Sequence, residues 1–333
     1  DGTLYAMVGG PEVKIDTVRS DRAGMGHWPW GMWQGHDYKD PRTSFGFGRT
    51  LAAIDLETKA VRWHIRTDRY MDARSLCMND TAIFAYCPGH HLSAVDRATG
   101  TIRWKEAGAE LLAAIGPHHK AQKWVTGYAT SCYAKCNNRQ LFFAGPQRKT
   151  MVAVSAETGQ VAWTHPQGNL QLVLRPEAIY GAGPQSTGVV LAYDTGKVLS
   201  HLPRRRACTR ATGNFDSVFY RTPGGTVRVR TDKEGAEHIA AMRPPCQDGV
   251  LVAHGHLYWG PWMCGCQLSL YGNIALGPPN RSSASRPART VAAKEAAALQ
   301  PLGLREHDWP HYRGDTARSD VRAGPLPRRF RRA

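Results

Sequence analysis

Two closely spaced cysteine pairs are the residues best suited to metal or covalent chemistry. Three residues separate Cys132 from Cys136, and one residue separates Cys264 from Cys266. Alternate residues of a strand point to the same face about 7 Å apart, so the second pair would present both sulfurs together. Four such thiolates can hold zinc tetrahedrally. Neither spacing matches the usual pair with two intervening residues, so zinc is the less favoured interpretation.

The even number of cysteines favours disulfide bonds. The chain contains eight cysteines, which suits an oxidising compartment. The expected pairs are Cys208–Cys246 and Cys132–Cys136, and buried free thiols are a further alternative. No Cys-x-x-Cys-His motif occurs in the sequence, so covalent haem attachment is not indicated.

Tryptophans crowd two segments and predict stacking on a flat ligand, such as a sugar ring or a quinone. The first segment, residues 25–38, also contains histidines, and the second lies close to the Cys264 pair. The candidate ligand-binding residues of the two segments are His27, Trp28, Trp30, Trp33, His36, Trp259 and Trp262. A lid that packs over the fold is the favoured alternative for the first segment. Its histidines, with Asp37, are weaker candidates for metal binding.

A basic cluster at Arg204, Arg205 and Arg206 is a candidate site for a phosphate, a carboxylate or an anionic polysaccharide. Solvated charges on a sheet edge are the favoured alternative, because such charges prevent pairing with other chains. The net charge of +16 would attract anionic partners in general. No recognisable binding element accompanies this charge, so the sequence predicts no specific nucleic-acid partner.

A recurring pattern supplies the elements that must position these residues. Residues 51–63, 92–104 and 151–163 each combine an apolar strand, a polar turn and a returning strand that ends in tryptophan. A weaker copy occupies residues 191–199. The turns usually contain Asp and Thr-Gly, because these side chains bond nearby backbone and glycine takes a positive φ. A period of about 40 residues with inserts predicts a repeat architecture.

The repeat predicts an all-β fold, a β-propeller of four-stranded blades. One hairpin cannot bury its own faces, so two strand pairs must combine into each blade. We count about six blades or partial blades, which would belong to a ring of roughly seven or eight. The residues expected to dock neighbouring blades are Asp55, Trp63, Asp96, Gly100, Trp104, Gly159, Trp163 and Gly196.

The frame Ala-x-Asp-x-x-Thr-Gly-x-x-x-Trp resembles the repeat of the PQQ-like (pyrroloquinoline quinone-type) β-propellers. That family includes quinoprotein alcohol dehydrogenases and non-enzymatic envelope scaffold proteins. For the enzymes, the resemblance implies PQQ stacked on a tryptophan and calcium held by Glu, Asn and Asp. This sequence has no adjacent cysteine pair and no matching set of calcium ligands. Catalytic residues therefore stay unassigned, and no cofactor is assured, because fold alone does not establish function.

The chain is expected to have three parts. Residues 1–277 form the propeller with an incomplete first blade, and 278–305 form a linker with a short helix at 291–300. Residues 306–333 resemble the lead-in to a following propeller; alternatively, this tail closes the same ring. The first residue is Asp1 and no leader precedes it, so either a leader was removed or the chain starts inside a longer protein. The lead-in resemblance of the tail favours a piece of a longer multidomain chain. No apolar run of about 18 residues occurs, which predicts no transmembrane segment.

These observations predict a binding or scaffold module in the periplasm, the cell envelope or the secreted fraction, with an unknown protein or glycan ligand. The location follows from the cysteine parity and the resemblance, since no signal peptide is present. The first alternative is a PQQ- and calcium-dependent oxidoreductase of alcohols or sugars. The second is a carbohydrate-binding propeller module that uses the tryptophans of residues 25–38 as a stacking platform.

Overall fold

Short antiparallel strands build the part of the chain that the structure describes. The computed structural model describes residues 2–9, 46–116, 132–145, 148–183, 187–206, 209–239, 242–245, 248–260 and 272–277. These residues form four four-stranded and two three-stranded sheets, each in simple chain order. Successive meander sheets of this kind are the blades of a propeller. The predicted all-β propeller is therefore confirmed.

The six sheets follow one another along the chain. Blade 1 contains β1 (Thr3–Val8), β2 (Phe47–Asp55) and β3 (Val61–Asp72). Blade 2 contains β4 (Cys77–Met78), β5 (Ala82–Cys87), β6 (His91–Asp96) and β7 (Ile102–Glu106). Blade 3 contains β8 (Ala134–Cys136), β9 (Gln140–Phe143), β10 (Met151–Ser155) and β11 (Val161–His165).

The remaining three blades continue the same order. Blade 4 contains β12 (Gln171–Leu174), β13 (Ile179–Ala182), β14 (Gly188–Leu191) and β15 (Val198–Leu202). Blade 5 contains β16 (Thr212–Gly213), β17 (Ser217–Thr222), β18 (Gly225–Arg230) and β19 (Ala236–Ile239). Blade 6 contains β20 (Leu251–Ala253), β21 (His256–Trp259) and β22 (Ile274–Leu276).

Helical structure is a minor part of the described residues. A 3-10 turn covers Ala73–Ser75, and the α-helix α1 (Ala109–Ile115) stands between blades 2 and 3. The sequence analysis does not predict α1, and the helix that it expects at 291–300 lies outside the described residues. Within the described part of the chain, no helix has the length and hydropathy needed to span a membrane.

The first strand of each complete blade lies on the inside of the ring. Neighbouring first strands contact one another, as β4 does with β8, β8 with β12, and β16 with β20. The fourth strands lie outside and are far more exposed, and in β15 only Leu202 is buried. Every residue of the second strands β5 and β17 is buried. The apolar core therefore sits between the faces of neighbouring blades.

The polar turn of the repeat is held by its Asp. In blade 2, Asp96 Oδ1 accepts the N–H groups of Ala98 at 2.9 Å and Thr99 at 3.0 Å. Arg103 Nε donates to Asp96 Oδ2 at 3.0 Å. The Arg103 hydrogen bond, followed by the Thr99 N–H, lowers the pKa of Asp96 to about 2. Ser155 takes the same place in blade 3, and its hydroxyl accepts the two equivalent N–H groups.

In the fourth copy of the repeat, an alanine takes the position of the turn Asp. Gly196 N–H donates to the carbonyl of Ala192 at 3.0 Å, as Gly100 N–H does to Asp96 at 2.9 Å. Ala192 therefore occupies the place of the turn Asp, and Asp194 lies two residues beyond it. The first copy carries Lys59 where the others have glycine, and Lys59 still adopts the left-handed φ of 62°.

The tryptophan of each repeat packs on the glycine of the next blade's turn. The three ring-to-glycine contacts are Trp63 on Gly100, Trp104 on Gly159 and Trp163 on Gly196. Each indole N–H also donates to a backbone carbonyl of the same turn, which is Arg97 at 3.0 Å, Ala156 at 3.1 Å and Tyr193 at 2.7 Å respectively. Blade 4 has Ser200 where tryptophan would stand, so this contact ends there.

His91 should make the propeller sensitive to mild acid. The side chain is buried in β6, and this burial, aided by Lys105 and opposed by Asp68, lowers the pKa of His91 to about 4. An unfolded histidine titrates near pH 6.5, so between pH 6.5 and 4 the unfolded chain takes up a proton that the folded chain refuses. Stability linked to His91 is therefore lost as the pH falls through that window.

Between pH 7 and pH 4.5, the His91→Gln variant should lose about 2 kcal/mol less stability than the wild type, since glutamine takes up no proton on unfolding. Urea unfolding of both proteins at the two pH values measures this difference. His238→Gln is the matched control, because His238 is exposed on β19. Equal acid losses in the wild type and His91→Gln would contradict the prediction.

Candidate functional site

A cavity of about 560 Å³ lies among the inner strands of blades 2 to 5. It is formed because β4, β8, β12 and β16 converge at the inside of the ring and are only two to four residues long. Its lining residues are Cys77, Met78, Ala134, Lys135, Cys136, Val173, Leu174, Ala211, Thr212 and Gly213. The described inner strands place two thiols and one amine around this cavity, which makes it the candidate site.

The cavity combines an apolar wall with two thiols and one amine. Lys135 is solvent-accessible there, and its Nζ donates to the carbonyl of Leu172 at 2.6 Å. The surrounding protein desolvates the ammonium group and lowers the pKa of Lys135. The amine is therefore anchored on the neighbouring blade 4, and no carboxylate stands among the described residues of the lining.

The lining does not fit calcium or a calcium-bound quinone. Calcium takes about six to eight oxygen ligands, mostly from carboxylates and carbonyls. The side chains of the described lining offer thiols, an amine, a thioether and the single hydroxyl of Thr212, and no carboxylate. Across the described residues, moreover, no group of three or more His, Cys, Asp or Glu side chains is placed to hold a metal ion.

The two thiols of the cavity interact with each other. Cys77 and Cys136 are free cysteines on the neighbouring inner strands β4 and β8. The hydrogen bond from Cys77 lowers the pKa of Cys136, while the same contact, together with burial, raises the pKa of Cys77.

The expected disulfide between Cys132 and Cys136 is not formed, since both are free cysteines. Ala134–Cys136 is a strand, so the connecting backbone is largely extended. An extended span of four residues covers about 13 Å, whereas a disulfide requires Cα atoms within about 7 Å. Cys264 and Cys266, the other expected zinc ligands, lie outside the described residues, as do Cys208 and Cys246.

A second polar cluster is buried where the chain enters blades 2 and 3. Arg74 Nε donates to Asp72 Oδ1 at 2.9 Å, and Arg74 Nη2 lies 2.5 Å from Asp72 Oδ2. The Tyr133 hydroxyl donates to the same Oδ2 at 3.0 Å, and the Arg148 guanidinium stacks 3.9 Å from the Tyr133 ring. Burial, followed by the charge of Asp72, raises the pKa of Tyr133. This cluster ties together segments that are distant in the sequence.

The sequence analysis does not identify Cys77, Lys135 or the Asp72 cluster. Asp72 and Tyr133 are 61 positions apart, and neither belongs to a motif. Cys77 lies on a two-residue strand with no periodic signal. A detectable hint is that Cys77 and Cys136 each lie within the last two residues before the turn into the second strand of their blade.

Trp259 is not available as a stacking platform. The residue is only 2% exposed, and it packs with Phe219, Met242 and Val250 in the core between blades 5 and 6. Its indole N–H donates to Thr226 Oγ1 at 2.9 Å. The expectation of a ligand contact at Trp259 is therefore corrected, because the ring serves as a docking anchor between blades.

The three arginines at 204–206 do not form one exposed basic patch. Arg204 is exposed, whereas Arg205 is fully buried and donates to the carbonyls of Ala182 at 3.0 Å and Thr209 at 3.1 Å. Arg206 is half-buried. Neither a joint anion site nor a solvated edge describes this run, since its central guanidinium holds backbone inside the fold.

The other candidate ligand-binding residues lie outside the described part of the chain: His27, Trp28, Trp30, Trp33, His36 and Trp262. Their assignment stays a prediction. The segment that contains the first five connects β1 to β2, and the segment with Trp262 connects β21 to β22. Counted against a four-stranded blade, each segment connects the second strand position to the third.

Comparison with known proteins agrees with the repeat and the blades. The family model described as the outer membrane protein assembly factor BamB, a model of PQQ-type repeats, matches residues 42–171. Over those residues, the chain is similar to the PQQ-type repeats of that family. The matched residues of this propeller include most of blade 1 and all of blades 2 and 3, which carry the three strong copies of the repeat. A search of curated proteins gives no match.

Solved propellers resemble the chain at low sequence identity. BamB from Moraxella catarrhalis has a TM-score of 0.43 and 14% identity, covering 64% of each chain. The quinohemoprotein alcohol dehydrogenase from Comamonas testosteroni has a TM-score of 0.40 and 12% identity, over 57% of this chain and 40% of that one. The Neurospora crassa Pan2 WD40 domain has a TM-score of 0.42 and 11% identity, over 64% and 70%. The propeller thus spans less than two thirds of the first two structures.

Proposed function

We propose that this propeller is a non-catalytic binding or scaffold module of the cell envelope. The observation that carries the proposal is the chemistry of the inner cavity. Its described lining presents two thiols, an amine and an apolar wall, and it offers no carboxylate with which to hold calcium. A quinone-dependent dehydrogenase reaction has no support from these residues.

The repeated polar and aromatic residues have structural tasks, which also supports a scaffold. Trp63, Trp104 and Trp163 dock blades, and Asp55 and Asp96 hold turns. A rigid ring built in this way presents its loops and outer strands as a stable binding surface. Phe215, in the turn between β16 and β17, is 91% exposed and is one such surface residue.

The proposed location rests on the matching family model, whose name is that of an outer membrane protein assembly factor. By analogy we propose an extracytoplasmic position and a protein partner for this chain. The net charge of +16 favours a partner with an acidic surface.

The catalytic alternative can be tested by reconstitution. We expect no calorimetric binding signal and no dye reduction when PQQ, calcium and an alcohol or glucose are added to the purified propeller. A quinoprotein dehydrogenase apoenzyme treated in parallel is the positive control. Stoichiometric quinone binding followed by substrate-dependent dye reduction would contradict the proposal and restore the oxidoreductase interpretation.

The scaffold itself can be tested by site-specific photo-cross-linking in the host cell. We expect a photo-reactive residue at Phe215 or at Leu199, both exposed, to yield a discrete protein adduct. The same residue at Phe219, which is buried, is the matched control and should yield none. If no exposed position gives a discrete adduct, the scaffold role is wrong.

A further inference from the structure

We propose that Cys77 and Cys136 are an oxidisable dithiol that closes into a disulfide between blades 2 and 3. The two residues line the same inner cavity and belong to contacting strands, β4 and β8. Both are free, half-buried cysteines that pack against the same apolar cluster. This site goes beyond the scaffold role and does not depend on it.

Strand pairing places the two cysteines at the boundary between their blades. Cys77 begins β4 and pairs with Phe84 of β5, while Cys136 ends β8 and pairs with Leu141 of β9. These pairings fix both backbones inside their own blades. The two cysteines line one cavity across the boundary between the blades. A disulfide there would join the two inner strands covalently.

Either thiol can begin the exchange. The thiolate is the nucleophilic form of cysteine, so one of the two sulfurs attacks the oxidant and the other resolves the mixed disulfide. Because the cavity is open to solvent at both thiols, a small disulfide can reach Cys136.

The oxidation proceeds by two thiol–disulfide exchanges, with a small-molecule or oxidoreductase disulfide as the oxidant. One of the two thiols, for example Cys136, loses its proton and attacks one sulfur of that disulfide. A mixed disulfide forms, and the first oxidant thiolate leaves and takes up a proton. Cys77 then loses its proton and attacks the Cys136 sulfur, which releases the second oxidant thiolate. Two S–H bonds are broken, one S–S bond is formed, and the oxidant is reduced to two thiols.

The two other described cysteines are poorer candidates. Cys87 is fully buried, and this burial raises its pKa to about 12. Cys132 is exposed and lies near enough to Cys77 to influence its pKa, but it does not line the cavity. A pairing of Cys77 with Cys132 is therefore the competing outcome that the experiment must distinguish.

Peptide mapping of the intact chain tests the proposal. The protein is oxidised with glutathione disulfide, remaining thiols are alkylated under denaturation, and it is digested with trypsin without reduction. Cleavage after Arg and Lys places Cys136 alone in residues 136–139, Cys132 in 124–135, and Cys77 with Cys87 in 75–97. We expect a linked product of peptides 75–97 and 136–139 that disappears on reduction.

Variants identify the bond and its consequence. The linked product should persist in Cys87→Ser and Cys132→Ser, the matched controls, and disappear in Cys77→Ser. Oxidation closes a loop of about 60 residues, so the Tm of the wild type should rise by roughly 5–10 °C, and that of Cys77→Ser should not. Alkylated, unlinked Cys136 after oxidation, or its linkage to any peptide other than 75–97, would overturn the proposal. Loss of the linked product in Cys87→Ser would do the same.

Discussion

Replacing Gly159 with alanine is expected to lower the free energy of unfolding by about 2–4 kcal/mol. The residue adopts a φ of 78°, which costs a non-glycine residue about 1 kcal/mol. A Cβ at this position would also lie 2.7 Å from Trp104 Cζ3 and 2.9 Å from Glu106 Cβ, and overpacking of this kind costs about 1–3 kcal/mol. Denaturant unfolding followed by tryptophan fluorescence measures the loss.

Gly89 provides a matched control for the contact with the tryptophan. Its φ is 73°, close to that of Gly159, but no atom lies within 4 Å of an added Cβ. Gly89→Ala should therefore cost only the backbone term of about 1 kcal/mol. Equal losses for Gly89→Ala and Gly159→Ala would show that the ring contact contributes nothing.

A double-mutant cycle isolates the docking contact further. Trp104→Ala alone should cost about 3 kcal/mol, because it removes a large, half-buried ring and its hydrogen bond to Ala156. In that background Gly159→Ala should cost less than in the wild type, since the ring clash is gone and only the backbone term of about 1 kcal/mol and the contact with Glu106 Cβ are left. An unchanged cost of 2–4 kcal/mol in both backgrounds would contradict the packing argument.

Replacing Asp72 with asparagine is expected to destabilise the propeller by about 3–5 kcal/mol. Asparagine keeps the shape of the side chain, but it leaves the buried Arg74 guanidinium without its carboxylate, and removing one partner of a buried pair costs this much. The Tyr133 hydroxyl also loses its charged acceptor. Urea unfolding at pH 7 measures the change in the free energy of unfolding.

An exposed ion pair is the control for the Asp72 substitution. Glu237 lies 3.2 Å from Lys233 on the surface, and Glu237→Gln should cost no more than about 0.5 kcal/mol. The combined Asp72→Asn and Arg74→Met variant should recover part of the lost stability, because it also removes the buried Arg74 charge that Asp72 balances. If Asp72→Asn behaves like Glu237→Gln, the buried pair does not stabilise the fold.

The blades were predictable because their signal is local and repeated. Leu92 to Trp104 carry a strand, an Asp-capped turn and a returning strand within thirteen residues, and two further copies repeat them. The inner strands β8, β12 and β16 are two to four residues long and carry no repeat, so no periodic pattern marks them.

Chemical assignments were harder to predict, because they depend on which side chains meet between blades. Cys132 and Cys136 are close in the sequence, but an extended strand separates them. Arg205 carries a charge and yet is buried, since backbone carbonyls of neighbouring segments supply its partners. Predictions of interacting residues from their spacing along the chain were therefore wrong where the interacting group lies in another part of the fold.

The sequence by itself determined the repeat, its turns, the all-β class and the propeller architecture, since each of these follows from patterns within a few dozen residues. Only the tertiary structure decided that Trp259 is a core residue and that Cys77 faces Cys136. It also brought Asp72 to Tyr133 across 61 positions. The physical reason is that curvature and contact between successive blades determine these encounters, and no local preference of the chain encodes them.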